Sequence, residues 1–177
     1  MTFTKKSFTL LFSFLLSAKS VSPATFKVDQ IKFLESRVVL FRMDNQLDPV
    51  IAGKQLSGFD YRITTEQDMD AKKCIVRVRI GVTIQATLKD AAEKIEVGEI
   101  RTETVFKVTQ LPKLLTNSLD EAPAMPAPIG GTMIGLAYST TRGQLLALGA
   151  GTILSRAFLP VVNPIQLLQN AGAEVKG

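Results

Sequence analysis

The strongest constraint on the fold is a two-residue alternation between residues 74 and 86. Every even position of this segment is apolar, from Cys74 to Ala86, whereas arginine, threonine and glutamine hold most of the odd positions. Because successive side chains of a β-strand point to opposite faces, the alternation predicts a half-buried strand with one dry and one wet face. Such a strand is typical of an antiparallel sheet that is covered on one side only.

Three other segments have the composition or the alternation of strands. Residues 25–43 are rich in Phe, Val, Ile and Leu, and their phase changes between residues 28 and 31, which predicts a bulge or bend. Residues 57–67 alternate without a break. Residues 95–111 alternate with a slip at Gly98, where we expect a bulge. Short turns separate these strands, which favours a β-meander over parallel βαβ units.

Two helices are predicted in the C-terminal third. Residues 120–131 are rich in Pro, Ala and Gly and are expected to form a linker. A helix is expected over residues 132–150, and a shorter one from about Pro164 to Ala171 with Asn163 as its N-cap. The longer helix carries one apolar stripe at helical spacing, formed by Ile134, Ala137, Tyr138, Thr141, Leu145 and Leu148.

These elements predict an α+β fold: a four-stranded antiparallel β-meander with two C-terminal helices packed on one side. The predicted domain covers residues 25–177. Residues 1–24 form an apolar leader with Lys5 and Lys6 before a run from Phe8 to Leu16, and small residues follow. This layout is typical of a secretory signal peptide, although Lys19 lies close behind the run. A mobile or loosely packed leader is the alternative.

Composition excludes several kinds of catalytic site. The chain has no histidine and one cysteine, Cys74, so it holds neither a Ser-His nor a Cys-His nucleophile, and it forms no intrachain disulfide. Cys74 belongs to the apolar set of its strand and is expected to be an inert buried thiol. No Gly-Lys-Ser or Gly-Lys-Thr follows a glycine-rich stretch, which argues against a phosphate loop. We therefore expect no cofactor, no metal and no enzymatic activity.

Two charged patterns are expected to be structural. The net charge of +5 is spread along the chain, and no dense basic run predicts a nucleic-acid partner. Glu66, Asp68 and Asp70 alternate but lack the glycine and closing glutamate of a calcium loop. Glu99 and Glu103 share a strand face with Arg101, where cross-strand salt bridges are expected.

The order of these segments resembles that of the SecB-type protein-export chaperones. The C-terminal stretch "AYSTTRGQLLALGAGTILSRAFLPVVNPIQLLQNAG" is similar to that family's long helix, its apolar loop and its final helix, with Leu159 to Asn163 at the loop motif. "TFKVDQIKFLES" resembles the first strand and "CIVRVRIGVTIQATL" the third. Pro164 replaces the aromatic residue usual after the Asn, and the acidic surface that docks the export motor is not evident.

The resemblance implies a cytoplasmic holdase that binds unfolded client polypeptides without ATP, as a homotetramer built from two dimers. Glycines along the long helix suit close packing against a second helix across a symmetry axis. The export motor ATPase is a further possible partner. We expect a client groove to which the following residues contribute: Phe26, Ile31, Phe33, Leu159, Val161, Val162, Leu167 and Leu168.

Two other functions fit the same sequence. One is a SecB-like chaperone dedicated to a single partner such as an antitoxin. The other is an exported, β-rich envelope protein that binds an apolar ligand, which would place the chain in the periplasm after cleavage of residues 1–24.

Overall fold

The computed structural model describes residues 27–44, 56–89, 94–115 and 125–169. The leader, residues 1–24, and Phe26 lie outside these described residues. Four long strands form a single sheet. Their bounds are Ile31–Met43 (β1), Leu56–Asp70 (β2), Ile75–Leu88 (β3) and Lys94–Val108 (β4).

The sheet is antiparallel throughout, as predicted, and its strand order is β1-β4-β3-β2. The predicted meander therefore holds for β2, β3 and β4, whereas β1 lies beside β4 instead of β2. The physical reason is that a half-buried strand can pair with either edge of a three-stranded meander. Nothing in its alternation selects the edge. β1 and β2 are consequently the two edge strands.

Bulges occur close to the predicted positions. Between β3 and β4 the register shifts after Ile84, which leaves Val97 without a partner directly before Gly98. A Cβ atom on Gly98 would lie 2.9 Å from Leu154 Cδ1, so the bulge needs glycine at this position. In β1 the phase change that was predicted between residues 28 and 31 is a 3-10 helix, Val28–Gln30, after which the strand begins.

The core lies on one face of the sheet. The even-numbered residues of β3 point into it and are almost completely buried, as the alternation predicted: Val76, Val78, Ile80, Val82, Ile84 and Ala86. Cys74 departs from the prediction, because it lies in the turn before β3 with φ 56° and is only half-buried. Its thiol contacts the carbonyl oxygen of Ala71 at 3.8 Å.

Helices cover this face. A short helix, Leu111–Leu114 (α1), follows β4, and the long helix spans Ala127–Leu148 (α2). The long helix begins five residues earlier than predicted, so part of the expected linker is helical. Pro128 is tolerated there because N–H groups in the first turn of a helix have no intrahelical acceptor. The predicted stripe is buried except for Leu148, which is 44% exposed at the last position of the helix.

The chain then turns back over the sheet. After a 3-10 helix, Ile153–Arg156, an extended segment leads to Pro164–Gln169 (α3). The backbone N–H of Ile165 donates to Asn163 Oδ1 at 3.0 Å, which confirms the predicted N-cap. The hydroxyl of Thr65 in β2 donates to the carbonyl oxygen of Leu167 at 3.1 Å, and this bond ties α3 to the sheet. In the described part of the chain, no helix combines the length and hydrophobicity that a bilayer span requires.

Candidate functional site

An apolar groove lies between α2 and the segment that leads into α3. Its cavity volume is about 320 Å³. One wall comes from the outer side of α2 and the other from the returning segment. The lining residues are Thr132, Gly135, Leu136, Tyr138, Ser139, Arg142, Val161, Val162 and Pro164.

Two contacts hold the second wall in place. The Tyr138 hydroxyl donates to the carbonyl oxygen of Pro160 at 2.9 Å, which anchors the extended segment to α2. A Cβ atom on Gly135 would lie 3.1 Å from Pro164 Cγ, so the absence of a side chain lets the start of α3 approach the helix. The groove is thus a consequence of a long helix with small residues and a returning segment with two prolines.

Two exposed apolar side chains form the rim of this groove. Val161 is 89% exposed and Leu136 is 43% exposed. Phe158 and Ile165, which do not line the groove, are also exposed, at 66% and 42%. A cluster of exposed apolar residues is costly in water, so it marks a surface that binds another apolar group.

Burial also determines the protonation of the groove's phenol. Desolvation raises the pKa of Tyr138 to about 12, and the guanidinium of Arg142 opposes that rise. The hydroxyl therefore stays protonated at any physiological pH and remains a donor to Pro160. Tyr61, on the neighbouring sheet, also has its pKa raised to about 12, chiefly by burial.

Five of the sequence-predicted site residues lie beside α2, but they differ in exposure. Leu159 and Leu167 are buried, at 4% and 2% exposure, and belong to the core beneath the groove. Val162 is half-buried and lines the groove. Leu168 is half-buried, with its Cδ2 3.2 Å from a Cβ placed on Gly130. Val161 alone of the five is fully presented to solvent.

The remaining predicted residues lie elsewhere. Ile31 and Phe33 are on β1, and α3 packs against β2, at the other edge of the sheet. Three inter-strand spacings, about 14 Å, separate those edges. Phe33 is 45% exposed and stacks edge-to-face on Phe106 with ring centroids 5.6 Å apart. The structure therefore brings Leu159 to Leu168 together with α2 and leaves Ile31 and Phe33 at a separate apolar surface.

Seven of the nine lining residues were not among the predicted site residues, and three of these seven are large side chains of α2. Leu136 and Arg142 lie off the buried stripe of α2, and Tyr138 was assigned only to the core. A leucine on the polar side of a helical wheel is the signal that could have identified Leu136. Arg142 lines the groove only because the segment after α2 returns beside it, and no local sequence pattern predicts that path.

The opposite face of the sheet carries paired charges. Glu103 accepts from Arg37 Nη2 at 2.6 Å and from Arg79 Nε at 2.9 Å, and Arg79 also approaches Glu66 at 3.6 Å. These four residues alternate in sign across all four strands. Arg101 pairs with Glu99 at 2.6 Å. Salt bridges on the wet face are thereby confirmed, and within the described residues no three potential metal ligands cluster.

The geometry thus provides an apolar groove beside α2. No family model and no curated protein matches the chain. Among solved structures, it is similar to the SecB-like chaperone Rv1957 of Mycobacterium tuberculosis, solved in complex with a ChAD peptide from the Rv1956 HigA1 antitoxin. The TM-score is 0.55 at 14% identity, over 76% of this chain and 91% of that chain. The protein therefore has the SecB-like α+β fold.

Proposed function

We propose that this protein is a chaperone that binds unfolded polypeptide segments in the groove beside α2, without ATP. The observation that carries the proposal is the exposed apolar rim, above all Val161 at 89% exposure, next to Pro160, which the Tyr138 hydroxyl ties to α2. A rim that is already anchored suits an unfolded client, because the client then bears most of the loss of conformational freedom on binding. The SecB-like fold supports the same function.

The size of the groove implies that one site binds weakly. From Thr132 to Arg142 it follows about 15 Å of helix, enough for four or five extended client residues. Burying about 150 Å² of apolar surface there would contribute at most about 4 kcal/mol at 25 cal/mol per Å². Because association itself costs several kcal/mol of lost freedom, one groove binds no more tightly than a Kd of about 1 mM, and useful retention of a client requires several linked sites.

A homotetramer of two dimers would supply those sites, and the outer side of α2 supports such an assembly. Beyond Arg142, the last lining residue of the groove on this helix, Gly143, Leu146 and Ala147 are exposed at i, i+3 and i+4. This stripe carries no charge, and a Cβ placed on Gly143 meets no atom within 4 Å. An uncharged stripe of small and apolar residues fits a second copy of the same helix across a two-fold axis.

A chaperone dedicated to one partner is the second candidate. The structure of Rv1957 contains a peptide from an antitoxin, which favours a similar client for this protein. A single co-purifying protein at fixed stoichiometry would distinguish this role from a general holdase. The paired charges on the outer face of the sheet favour a chaperone that acts without the acidic motor-docking surface of the export chaperones.

The proposed location is the cytoplasm. The exported alternative, an envelope protein that binds an apolar ligand, is distinguished by sequencing the N-terminus of the protein purified from its host. A mature chain that begins at Thr25 would favour export.

An aggregation assay tests the central proposal. A chemically denatured client is diluted into buffer with the protein and without nucleotide, and light scattering is followed. Val161→Asp is expected to abolish protection with little loss of thermal stability, because Val161 packs against almost nothing. Val39→Asp is the matched control: Val39 is 60% exposed on the opposite face of the sheet. Equal protection by wild type and Val161→Asp would contradict the proposal.

A further inference from the structure

We infer that the groove selects client segments in which an acidic residue follows or precedes an apolar one by about three positions, and that Arg142 binds the acidic carboxylate. This inference rests on the proposed function and specifies its substrate class. It comes from the arrangement of one cation at the end of an otherwise apolar groove.

The groove changes character along α2. Leu136, Val161 and Pro164 give it apolar walls, and Arg142 lines it further toward the C-terminal end of the helix. Six residues separate Leu136 from Arg142, which is about 9 Å along a helix. An unfolded client in the polyproline II conformation advances about 3.1 Å per residue with three residues per turn, so side chains three positions apart lie about 9 Å apart on the same face.

Arg142 differs from most arginines that flank the sheet. Arg37, Arg79 and Arg101 each pair with a glutamate. Arg142 is half-buried, and among the described residues no carboxylate forms an ion pair with it. A half-buried guanidinium has lost part of its hydration and gains most from a carboxylate that enters the groove.

Two structural explanations for this arginine are weak. Arg142 lies six residues before the end of α2, at Leu148, whereas the attraction of a helix C-terminus for cations falls off within the last turn. Among the described residues no hydrogen bond joins the Arg142 guanidinium to an acceptor, and the Tyr138 hydroxyl donates its proton to Pro160 instead. Arg142 and Tyr138 lie close enough to interact, since the positive charge of Arg142 opposes the rise in the pKa of Tyr138.

The carboxylate is the ligand group that the guanidinium favours most. Its planar fork of N–H donors matches the two carboxylate oxygens and can form two parallel hydrogen bonds. Ser139, one turn away on the same side of α2, lines the groove and offers a further hydroxyl. Apolar walls exclude part of the water, which strengthens this charge pair relative to one on an open surface.

The experiment is an NMR titration with two peptides that carry a fluorinated Phe as label. Both contain the same apolar triplet, and three positions after it one carries Glu and the other Gln. Wild-type protein is expected to bind the Glu peptide about fivefold more tightly, a modest figure because Arg142 is half-exposed. The difference should shrink at high salt, as screening requires.

Variants assign the preference to the arginine. Arg142→Gln is expected to bind both peptides with the wild-type affinity for the Gln peptide, and Arg142→Lys to retain part of the preference. Arg156→Gln is the control, because it removes the same charge from an exposed position that does not line the groove. A thermal melt establishes that each variant is folded. Should Arg142→Gln unfold, Arg142→Lys and the salt dependence carry the test.

The outcomes separate the inference from the function it rests on. Equal affinity of wild type for the two peptides would overturn the role of Arg142 and leave the groove intact as a client site. Loss of both peptides in a folded Arg142→Gln variant would also overturn it, since the arginine would then shape the groove. Binding of neither peptide by wild type, with protection of a long client also absent, would overturn the proposed function itself.

Discussion

Glu103 is a buried carboxylate that two arginines pair on the charged face of the sheet. Its side chain is 7% exposed and accepts from arginines of both neighbouring strands. Burial alone would raise its pKa, but the hydrogen bonds from Arg79 and Arg37 outweigh that effect and lower the pKa below the usual value of 4.5. The ionised form is therefore the one that the fold stabilises.

We expect Glu103→Gln to lower the free energy of unfolding at pH 7 by about 1 kcal/mol, because Arg37 and Arg79 are 65% and 48% exposed and recover hydration. A group with a lowered pKa stabilises the fold above its unfolded-state pKa and loses that effect as pH falls through the folded-state value. Urea titrations at pH 7 and pH 3 should therefore show a wild-type advantage that shrinks at the lower pH. An unchanged difference at pH 3 would contradict the ion-pair account.

For individual residues, the sequence predicted which face of the sheet a side chain lies on, but it did not predict which residues form ion pairs. The alternation of β3 and β4 placed Arg79, Glu99, Arg101 and Glu103 on the wet face, because the side-chain period of a strand is fixed. It did not identify Arg37 as a partner of Glu103. That pair depends on β1 lying beside β4, and on the register shifts within β1. Non-local pairing is set by the whole sheet and has no local signature.

Three glycines bring α3 close to α2. Cβ atoms placed on Gly130, Gly131 and Gly135 would lie 3.1 to 3.2 Å from side-chain atoms of Leu168, Ile165 and Pro164. The second wall of the groove therefore depends on these positions. The lost helix propensity, about 1 kcal/mol per glycine, is offset by the burial of α3.

We expect Gly131→Leu to lower the free energy of unfolding by about 1–3 kcal/mol, because a branched side chain must displace the backbone of α3 near Ile165. Thermal and urea unfolding measure the loss. Gly131→Ala is the control: its single methyl meets only a flexible Ile165 side chain at 3.2 Å, and its better helix propensity compensates. If the two variants are equally stable, the close approach of α3 does not stabilise the fold.

The elements themselves could be predicted, including the N-cap at Asn163, since their signals are local. The exposure of individual groove residues could not. Leu159, Val161 and Val162 are adjacent apolar residues in an extended segment, and only its path over Tyr138 decides that Leu159 enters the core while Val161 faces solvent. A run of apolar residues indicates a surface to be buried and leaves open which side chains are buried by the chain itself.

For the whole molecule, the proposed function requires that a weak groove retain a client. The predicted client groove combined residues of the first strand with residues of the C-terminal segment. In the structure the C-terminal segment borders an apolar groove at α2, and Phe33 lies at a separate apolar surface. Each is too small to hold an unfolded chain for long. Linked copies raise the effective concentration of the second contact to about the millimolar range, comparable with the Kd of one groove.

Ala147→Glu tests this requirement. The substitution places a charge in the uncharged stripe of α2, where two copies would oppose like charges, so the mass in solution is expected to fall from about four protomers toward one or two. Ala147 is exposed, and the protomer should keep its melting temperature when the tetramer contributes little to it. Light scattering coupled to gel filtration measures the mass.

Short and long clients should then respond differently to the same variant. A peptide that fills one groove contacts one protomer, so its affinity for Ala147→Glu should equal that for wild type. A full-length denatured client bridges several grooves, and its protection from aggregation should fall about 10-fold or more when the sites are no longer linked. Lys89→Glu is the control, because it makes a larger charge change at an exposed position away from α2. If the smaller assembly protected long clients as well as wild type does, retention would depend on a larger surface within one protomer, and the separate apolar surface at Phe33 would be the first place to examine.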